Sequence, residues 1–186
     1  EPERRSCSGP GGALVKPHHR ILVLGHARNG KDTVAAILTR DHGQRCASTS
    51  MAAAQVVRLA MAEEGIHYDS LEACFADRVN HRAFWFDTIA ELNNPDPATL
   101  VRHMLEDHDV IVGLRSAREF EASAHLFDAI WWVDASDRGV SPEPTSSMDI
   151  AYDPARMVRI NNGGSLAALE RNVASALADA WLALAD

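Results

Sequence analysis

The chain has 186 residues, which at roughly 150 residues per domain corresponds to one domain. Apolar residues make up 46% and charged residues 24% of the sequence. These values are close to the globular averages of roughly 45–50% and 25%, so they exclude bulk disorder and a fibrous fold. The net charge of −8 gives no global attraction to nucleic acid or to anionic membranes, so any polyanion must be held by a local cluster of arginines and backbone donors.

The first 19 residues differ from the rest of the chain. They mix charged residues with a Ser-Gly-Pro-Gly-Gly run and lack an apolar core, so they do not resemble a secretory signal. We interpret residues 1–19 as a disordered leader or an expression scar and residues 20–186 as one domain. The three cysteines are widely spaced without a C-x-x-C pair, which favours a reducing cytoplasm over a disulfide framework or a zinc site.

Strands and helices alternate along the predicted domain. A wholly apolar run at 21–24 predicts a strand buried on both faces, and apolar residues at helical spacing predict a helix from Lys31 to Arg40. Further strands are predicted at 44–49, 110–114, 129–133 and 157–160. Further helices are predicted at 52–63, within 70–92, and at 97–107, 116–126 and 166–185. Strands separated by helices indicate a parallel sheet of about five strands with helices on both faces.

One connection is too long and too polar for an ordinary loop. Residues 137–154 are rich in Gly, Pro, Ser and Asp and lie between two predicted strands, where a median connection has about 4–6 residues. We therefore predict a mobile lid at about 137–154, which orders when a ligand pair closes the site.

The most specific signal is the phosphate-loop pattern G-x-x-x-x-G-K-D-T, which follows the first strand and opens the first helix. Its glycines let successive N–H groups point at phosphate oxygens, the helix N-terminus adds its dipole, and the lysine reaches the β- and γ-phosphates. The pattern predicts ATP binding by Gly25, His26, Ala27, Arg28, Asn29, Gly30, Lys31, Asp32 and Thr33. The usual Mg²⁺-binding Ser or Thr after the lysine is Asp32 here, with Thr33 one place later, so both are candidate metal ligands.

These motifs resemble those of the bacteriophage deoxynucleoside monophosphate kinases, within the P-loop kinases, over most of residues 20–178. Besides the phosphate loop, the resemblance rests on 110–115 followed by Glu119, on 146–149 at the end of the lid, and on 159–163 before the last helix. Gly113 stands where those kinases usually have Asp. The resemblance implies a P-loop kinase fold, Mg²⁺, ATP as phosphoryl donor, and a nucleotide acceptor. A related group of phage kinases phosphorylates 5-hydroxymethyluracil in DNA, and the motifs do not separate the two groups.

Several polar residues are candidates for the acceptor side. Arg115 follows a predicted strand, at the end of a parallel sheet where ligands bind, and its alternative role is an ion pair with Glu119 or Asp134. Arg78 and Arg82 are predicted four apart on one helix face, where they bind an acceptor phosphate or pair with neighbours such as Asp77. Other candidates are Ser50, which lies where the family places acceptor contacts, and Arg138 in the lid. The Trp85-Phe86 and Trp131-Trp132 pairs are predicted to be core.

The predicted activity is a Mg²⁺-dependent transfer of the ATP γ-phosphate to a nucleotide-type acceptor, with Lys31, Asp32 and Arg115 as catalytic residues. A deoxynucleoside monophosphate is the first choice of acceptor, and 5-hydroxymethyluracil in DNA is the alternative. Asp32 either serves the metal or accepts a proton from a hydroxyl nucleophile, which only the second acceptor requires. A non-catalytic NTP-binding module is the third reading, although the guanine motif N-K-x-D is absent from the sequence.

Overall fold

The computed structural model describes residues 19–145 and 147–183. Its centre is a sheet of five parallel strands in the spatial order β2-β3-β1-β4-β5. The strands are β1 Ile21–Leu24, β2 Cys46–Ser48, β3 Val110–Val112, β4 Ala129–Asp134 and β5 Val158–Asn161. This arrangement confirms the predicted α/β fold with a parallel sheet of about five strands.

Seven α-helices in the described part of the chain surround the sheet. They are α1 Lys31–His42, α2 Thr49–Glu63, α3 Leu71–Asp77, α4 Arg82–Leu92, α5 Thr99–Asp107, α6 Ala117–Ser123 and α7 Leu166–Ala183. Short 3₁₀ turns follow α6 at Ala124–Leu126 and β4 at Ser136–Arg138.

Both faces of the central strand are buried, as its uninterrupted apolar sequence predicts. Ile21 and Val23 pack in a core with residues of α1 and α7, whereas Leu22 and Leu24 pack in a second core with residues of α5 and α6. The alternation follows from the twofold periodicity of a strand. Because helices cover both faces, the polar chemistry is concentrated where the strands end.

The beginning of the fold lies one residue earlier than predicted. His19 is 1% exposed and its ring stacks on Trp181 of α7, with 5.7 Å between the ring centroids. His19 therefore belongs to the core and not to the leader, because an aromatic partner at the far end of the chain cannot be recognised from the local sequence. The remaining leader residues, 1–18, lie outside the described part of the chain, as do Ser146 and residues 184–186.

The helical region after α2 differs from the prediction at one functional position. Arg78 ends α3 and Arg82 begins α4, so the two arginines flank a turn and do not share one helix face. In that turn, Asp77 accepts hydrogen bonds from Tyr68 Oη and Asn80 Nδ2 at 2.7 and 2.6 Å. These contacts satisfy the side chain of Asp77 in a turn and allow the helix to end there.

Two helix starts also differ from the prediction. α2 begins at Thr49, so Ser50 lies in its first turn and Ser48 is the residue before the helix. α5 begins at Thr99, because Asp96 caps a turn by accepting the Ala98 N–H at 2.9 Å and does not cap the helix itself. Helix ends are the least determined part of a periodic pattern, since the first turn has no intrahelical N–H partners.

Candidate active site

The phosphate loop connects β1 to α1 at the carboxyl end of the sheet. Two of its glycines are required by their surroundings. A Cβ atom at Gly25 would lie 2.4 Å from the carbonyl oxygen of Val133, and one at Gly30 would lie 2.3 Å from Asn162 Nδ2. Both glycines also have positive φ angles, of 138° and 92°, which side chains rarely tolerate. The loop therefore packs tightly against the ends of β4 and β5.

Two asparagine side chains connect the phosphate loop to the ends of β4 and β5 by hydrogen bonds. Asn29 Nδ2 donates to the carbonyl oxygen of Val133 in β4 at 2.9 Å, and Asn162 Nδ2, directly after β5, donates to the carbonyl oxygen of Asn29 at 2.9 Å. Asn29 is 4% exposed and Asn162 is 6% exposed. Buried side-chain bonds of this kind fix the loop backbone relative to the sheet before any ligand arrives.

Lys31 folds back onto the loop that it follows. Its Nζ donates to the carbonyl oxygens of Gly25 and His26, both at 2.8 Å. Burial lowers the pKa of Lys31, the nearby Arg115 lowers it further, and Glu143 and Asp32 act in the opposite direction. An anion in place of the two carbonyl oxygens would give the Lys31 ammonium a fully charged partner. The side chain is therefore suited to binding phosphate.

The lysine lies in a cavity of about 410 Å³ between the phosphate loop, the first turn of α2 and the residues after β3. Asp32 lines this cavity, whereas Thr33, also exposed, is not among its lining residues in the described part of the chain. Ser50 and Phe75 line it on the opposite side. The structure therefore places Asp32 where it faces both the phosphate loop and the α2 side.

Gly113 lies beside the lysine, where a Cβ atom would make ordinary van der Waals contacts. A Cβ atom there would be 3.9 Å from Lys31 Cε and 3.6 Å from Thr49 Oγ1, and the φ angle is 94°. The Thr49 hydroxyl donates to the carbonyl oxygen of Gly113 at 2.8 Å. The described residues contain no group of three or more His, Cys, Asp or Glu side chains that could hold a metal ion.

Arg115 extends from the end of β3 into the same cavity, as the sequence predicts, but its ion-pair partner was not foreseen. Its Nη1 lies 2.6 Å from Glu143 Oε1, whereas the two partners considered from the sequence bind elsewhere. Glu119 accepts from Asn93 Nδ2 at 2.9 Å, and Asp134 pairs with Arg159. Arg115 is therefore held by the segment between β4 and β5.

Glu143 also contacts the phosphate loop. Its Oε2 accepts the N–H of Ala27 at 2.5 Å, and its own N–H donates to His26 Nδ1 at 3.3 Å. The pKa of Glu143 is lowered: burial raises it, but the hydrogen bonds from Arg115 and Ala27 and the charge of Lys31 prevail. Glu143 is not predicted from the sequence, although it is the only charged residue between Arg138 and Asp149 and has a proline on each side.

The three acceptor-side arginines converge on one cavity. This second cavity, of about 390 Å³, is lined by Ser50, Phe75, Arg78, Val79, Arg82, Trp85 and Arg115. It shares Ser50, Phe75 and Arg115 with the cavity that contains Lys31, so the two adjoin. Arg78 also lies over the ring of Phe75, with its Cζ 3.9 Å from the ring centroid. The structure thus brings Arg78, Arg82 and Arg115 together although the predicted common helix is absent.

The aromatic residues near the site are divided between core and surface. Trp131 and Trp132 are buried in the sheet, as predicted, and His26 meets Trp132 edge-on with 5.3 Å between centroids. The prediction of core is wrong for Phe86, which lies in α4 and is 74% exposed. Trp85 and Phe86 are neighbours within α4, so one ring faces the protein and the next faces solvent.

The predicted lid has a packed half and an open half. Arg138 is exposed and lies in the 3₁₀ turn directly after β4. Met148 and Ile150 are both 4% exposed in the core, and the Asp149 carboxylate accepts the Ala117 N–H at 2.5 Å. Residues 148–150, near β5, are therefore packed against the rest of the domain. Nearer β4, Glu143 contacts the phosphate loop. No helix of the described chain is both long and apolar enough to cross a membrane.

Comparison with protein-family models and with curated proteins gives no match. Among solved structures, the chain is similar to TT1252 from Thermus thermophilus, with a TM-score of 0.51 and 20% identity over 86% of this chain and 96% of that one. A gluconokinase from Sinorhizobium meliloti 1021 gives a TM-score of 0.49 and 14% identity over 90% and 95% of the chains. A sugar kinase from Janibacter sp. HTCC2649 gives 0.42 and 15% over 89% and 95%. The likeness to TT1252 supports an α/β fold with a five-stranded parallel sheet flanked by helices, as the architecture shows.

Proposed function

We propose that this protein is a Mg²⁺-dependent phosphotransferase that moves the γ-phosphate of ATP to a nucleotide-type acceptor, with a deoxynucleoside monophosphate as the first candidate. One observation carries the proposal. The cavity that contains the phosphate loop and Lys31 adjoins a second cavity lined by three arginines, and the two share Arg115. A donor phosphate in the first cavity and an acceptor anion in the second would meet at that guanidinium.

The residues present suit phosphoryl transfer, in which positioning and charge neutralisation supply most of the catalysis. An acceptor oxygen attacks the γ-phosphorus while the bond from that phosphorus to the β–γ bridging oxygen breaks, leaving ADP. The loop N–H groups and Lys31 would bind the β- and γ-phosphate oxygens. Arg115, at the junction of the cavities, would neutralise charge on the transferred group.

The donor set also fits a Mg²⁺ ion that enters with the nucleotide. Mg²⁺ in such enzymes is commonly held by one or two carboxylates together with substrate phosphates and water. Asp32 supplies a carboxylate that lines the cavity beside Lys31, and Thr33 follows it. The ion would neutralise charge on the phosphates, and Asp32 would hold it directly or through water. Gly113 provides no second carboxylate, so the phosphates and water have to complete the coordination.

An anionic acceptor with a planar ring matches the second cavity. Arg78 and Arg82 offer guanidinium groups that can bind phosphate oxygens in a bidentate way, and the aromatic residues Phe75 and Trp85 line the same cavity. The phosphate of a nucleoside monophosphate is already ionised and needs no general base. Asp32 is then free to serve the metal, which is consistent with its place next to the phosphate loop.

A second candidate acceptor is 5-hydroxymethyluracil in DNA, and the surface around α3 and α4 supports it. Val79 is 53% exposed and Phe86 is 74% exposed, and both lie close in sequence to Arg78 and Arg82. An exposed aromatic ring near arginines, here Phe86, can stack on an unstacked base while the arginines bind its phosphates. With this acceptor, Asp32 would accept the proton of the hydroxymethyl group.

The experiment is an acceptor panel with γ-labelled ATP and Mg²⁺. It contains the four deoxynucleoside monophosphates, an oligonucleotide with 5-hydroxymethyluracil, and the same oligonucleotide with thymine as a matched control. Label on a free monophosphate supports the first candidate, and label on the modified oligonucleotide alone supports the second. ATP binding without transfer to any acceptor would contradict the proposed catalysis and leave a nucleotide-binding module.

A further inference from the structure

The Glu143 carboxylate takes up hydrogen-bond donors beside Lys31. It binds one loop amide, the N–H of Ala27 at 2.5 Å, and one guanidinium, that of Arg115 at 2.6 Å. Backbone N–H groups of a phosphate loop and a nearby arginine are the donors that bind phosphate in such sites. The side chain of Glu143 is 16% exposed and that of Arg115 is 50% exposed, so the carboxylate is the more enclosed partner.

The segment around Glu143 is built to hold the carboxylate there. Prolines at 142 and 144 restrict the backbone on both sides, and the Glu143 N–H donates to His26 Nδ1 at 3.3 Å. Further along, Asp149 is tied to the start of α6, and Arg156 pairs with Glu121 of α6 at 2.7 Å. Because the segment between β4 and β5 is attached to the domain at both ends, the Glu143 carboxylate has a high effective concentration near the phosphate loop.

We propose that Glu143 is an intramolecular competitor of the donor phosphate: its carboxylate occupies the anion position formed by Ala27 N–H and Arg115 and has to leave before a phosphate binds there. This inference rests on the proposed function. A phosphate and a carboxylate cannot share these donors, since two like charges at hydrogen-bond distance repel strongly. Binding of the nucleotide therefore releases Glu143 and, with it, frees Arg115 for the transferred group.

The consequence is a lowered apparent affinity for phosphate ligands. When only a fraction of molecules has the position free, the apparent Kd rises by the inverse of that fraction. If roughly nine in ten molecules have Glu143 bound, removal of the carboxylate tightens binding by about tenfold. The energy released by the incoming phosphate is thereby coupled to movement of the segment between β4 and β5.

The test compares equilibrium binding of ATP and of inorganic pyrophosphate, both without Mg²⁺, to the wild type and to Glu143→Ala and Glu143→Gln. We expect Glu143→Ala to bind about tenfold more tightly, and Glu143→Gln to bind more tightly than the wild type by a smaller factor because its amide oxygen can still accept from Ala27. Glu121→Gln is the matched control: it removes the same charge from a residue that pairs with the same segment but does not contact the loop. Its affinity should equal that of the wild type.

A second readout separates occupation of the position from a general effect of charge. The amide resonance of Ala27 reports its hydrogen bond directly, so Glu143→Ala should shift that resonance and speed its exchange with solvent, whereas Glu121→Gln should leave both unchanged. Equal or weaker ligand binding by both Glu143 variants, or an unchanged Ala27 amide, would overturn the proposal while leaving the proposed function in place. If neither the wild type nor Glu143→Ala binds ATP or pyrophosphate, the proposed function fails as well.

Discussion

At the scale of single residues, substitution of three arginines tests whether the second cavity binds the acceptor. Replacing Arg78, Arg82 or Arg115 by Ala removes a charged hydrogen-bond donor, a change of about 1.5–3 kcal/mol. We expect kcat/KM for the acceptor to fall roughly ten- to hundredfold and the affinity for ATP to change less, except in Arg115→Ala, which also releases Glu143. Acceptor and ATP titrations of each variant measure this.

Arg102→Ala is the matched control for that series. Arg102 pairs with Asp96 at 3.0 Å on α5 and does not line either cavity. Its loss should leave both titrations unchanged. Wild-type efficiency in all three acceptor-side variants would show that the acceptor binds elsewhere.

Glu119 is a residue whose environment opposes its charge. Burial raises the pKa of Glu119 above its usual 4.5, and the charge of Asp149 adds to this, against a hydrogen bond from Asn93. The folded state therefore binds a proton more tightly than the unfolded chain, so the free energy of unfolding should fall as the pH rises from about 4.5 through the raised pKa. Glu119→Gln keeps an acceptor for Asn93 and should abolish this fall, which urea denaturation across this pH range measures.

Glu121→Gln provides a control of opposite sign. Its pairing with Arg156 lowers the pKa of Glu121, so that carboxylate contributes stability that is lost as the pH falls through its lowered pKa. A pH dependence in Glu119→Gln identical to that of the wild type would mean that Glu119 is not the group responsible.

At the scale of elements, the phosphate loop depends on its fit to the strand ends. Gly30→Ala would place a methyl group 2.3 Å from Asn162 Nδ2 at a φ of 92°, and we expect it to cost about 1–3 kcal/mol of unfolding free energy. Asn162→Ala alone loses its bond to Asn29, at about 1 kcal/mol. The double variant should lose less than the sum of the two, because the clash is then gone.

Gly43→Ala separates backbone strain from the clash. Gly43 has a φ of 67°, but a Cβ atom there would meet nothing within 4 Å. Gly43→Ala should lower the free energy of unfolding by less than Gly30→Ala does, as measured by thermal or urea unfolding. If the losses of unfolding free energy add up in the variant that combines Gly30→Ala with Asn162→Ala, a direct contact between the two positions is contradicted.

The elements themselves show how far the sequence could lead. Strongly patterned elements, such as β1 and the start of α1 at Lys31, were predicted correctly because a buried strand, two constrained glycines and a helix start leave a local signature. The turn between Arg78 and Arg82 was missed, since the contacts of Asp77 with Tyr68 and Asn80 interrupt an otherwise helical pattern. Glu143 was missed because its partners are 28 and 116 residues away in the sequence, beyond the reach of any local pattern.

At the scale of the whole molecule, the segment between β4 and β5 connects the loop to the body and should respond to ligands in parts. With ATP and an acceptor together, amide exchange in residues 139–145 should differ from that of the free protein, because Glu143 leaves the Ala27 N–H, and it should stay unchanged around Met148 and Ile150, which are already buried. Hydrogen exchange with and without the ligand pair measures this. Exchange that is equally slow in residues 139–145 under both conditions would contradict a lid.

The central claim is that the loop from Gly25 to Lys31 transfers phosphate, and Lys31 tests it most directly. Its Nζ contacts two loop carbonyls, so Lys31→Ala should leave the circular dichroism spectrum and the unfolding midpoint close to those of the wild type. Without the ammonium, transfer of label from γ-labelled ATP to the best acceptor should fall about 100-fold or more. Wild-type transfer in a folded Lys31→Ala protein would contradict the account.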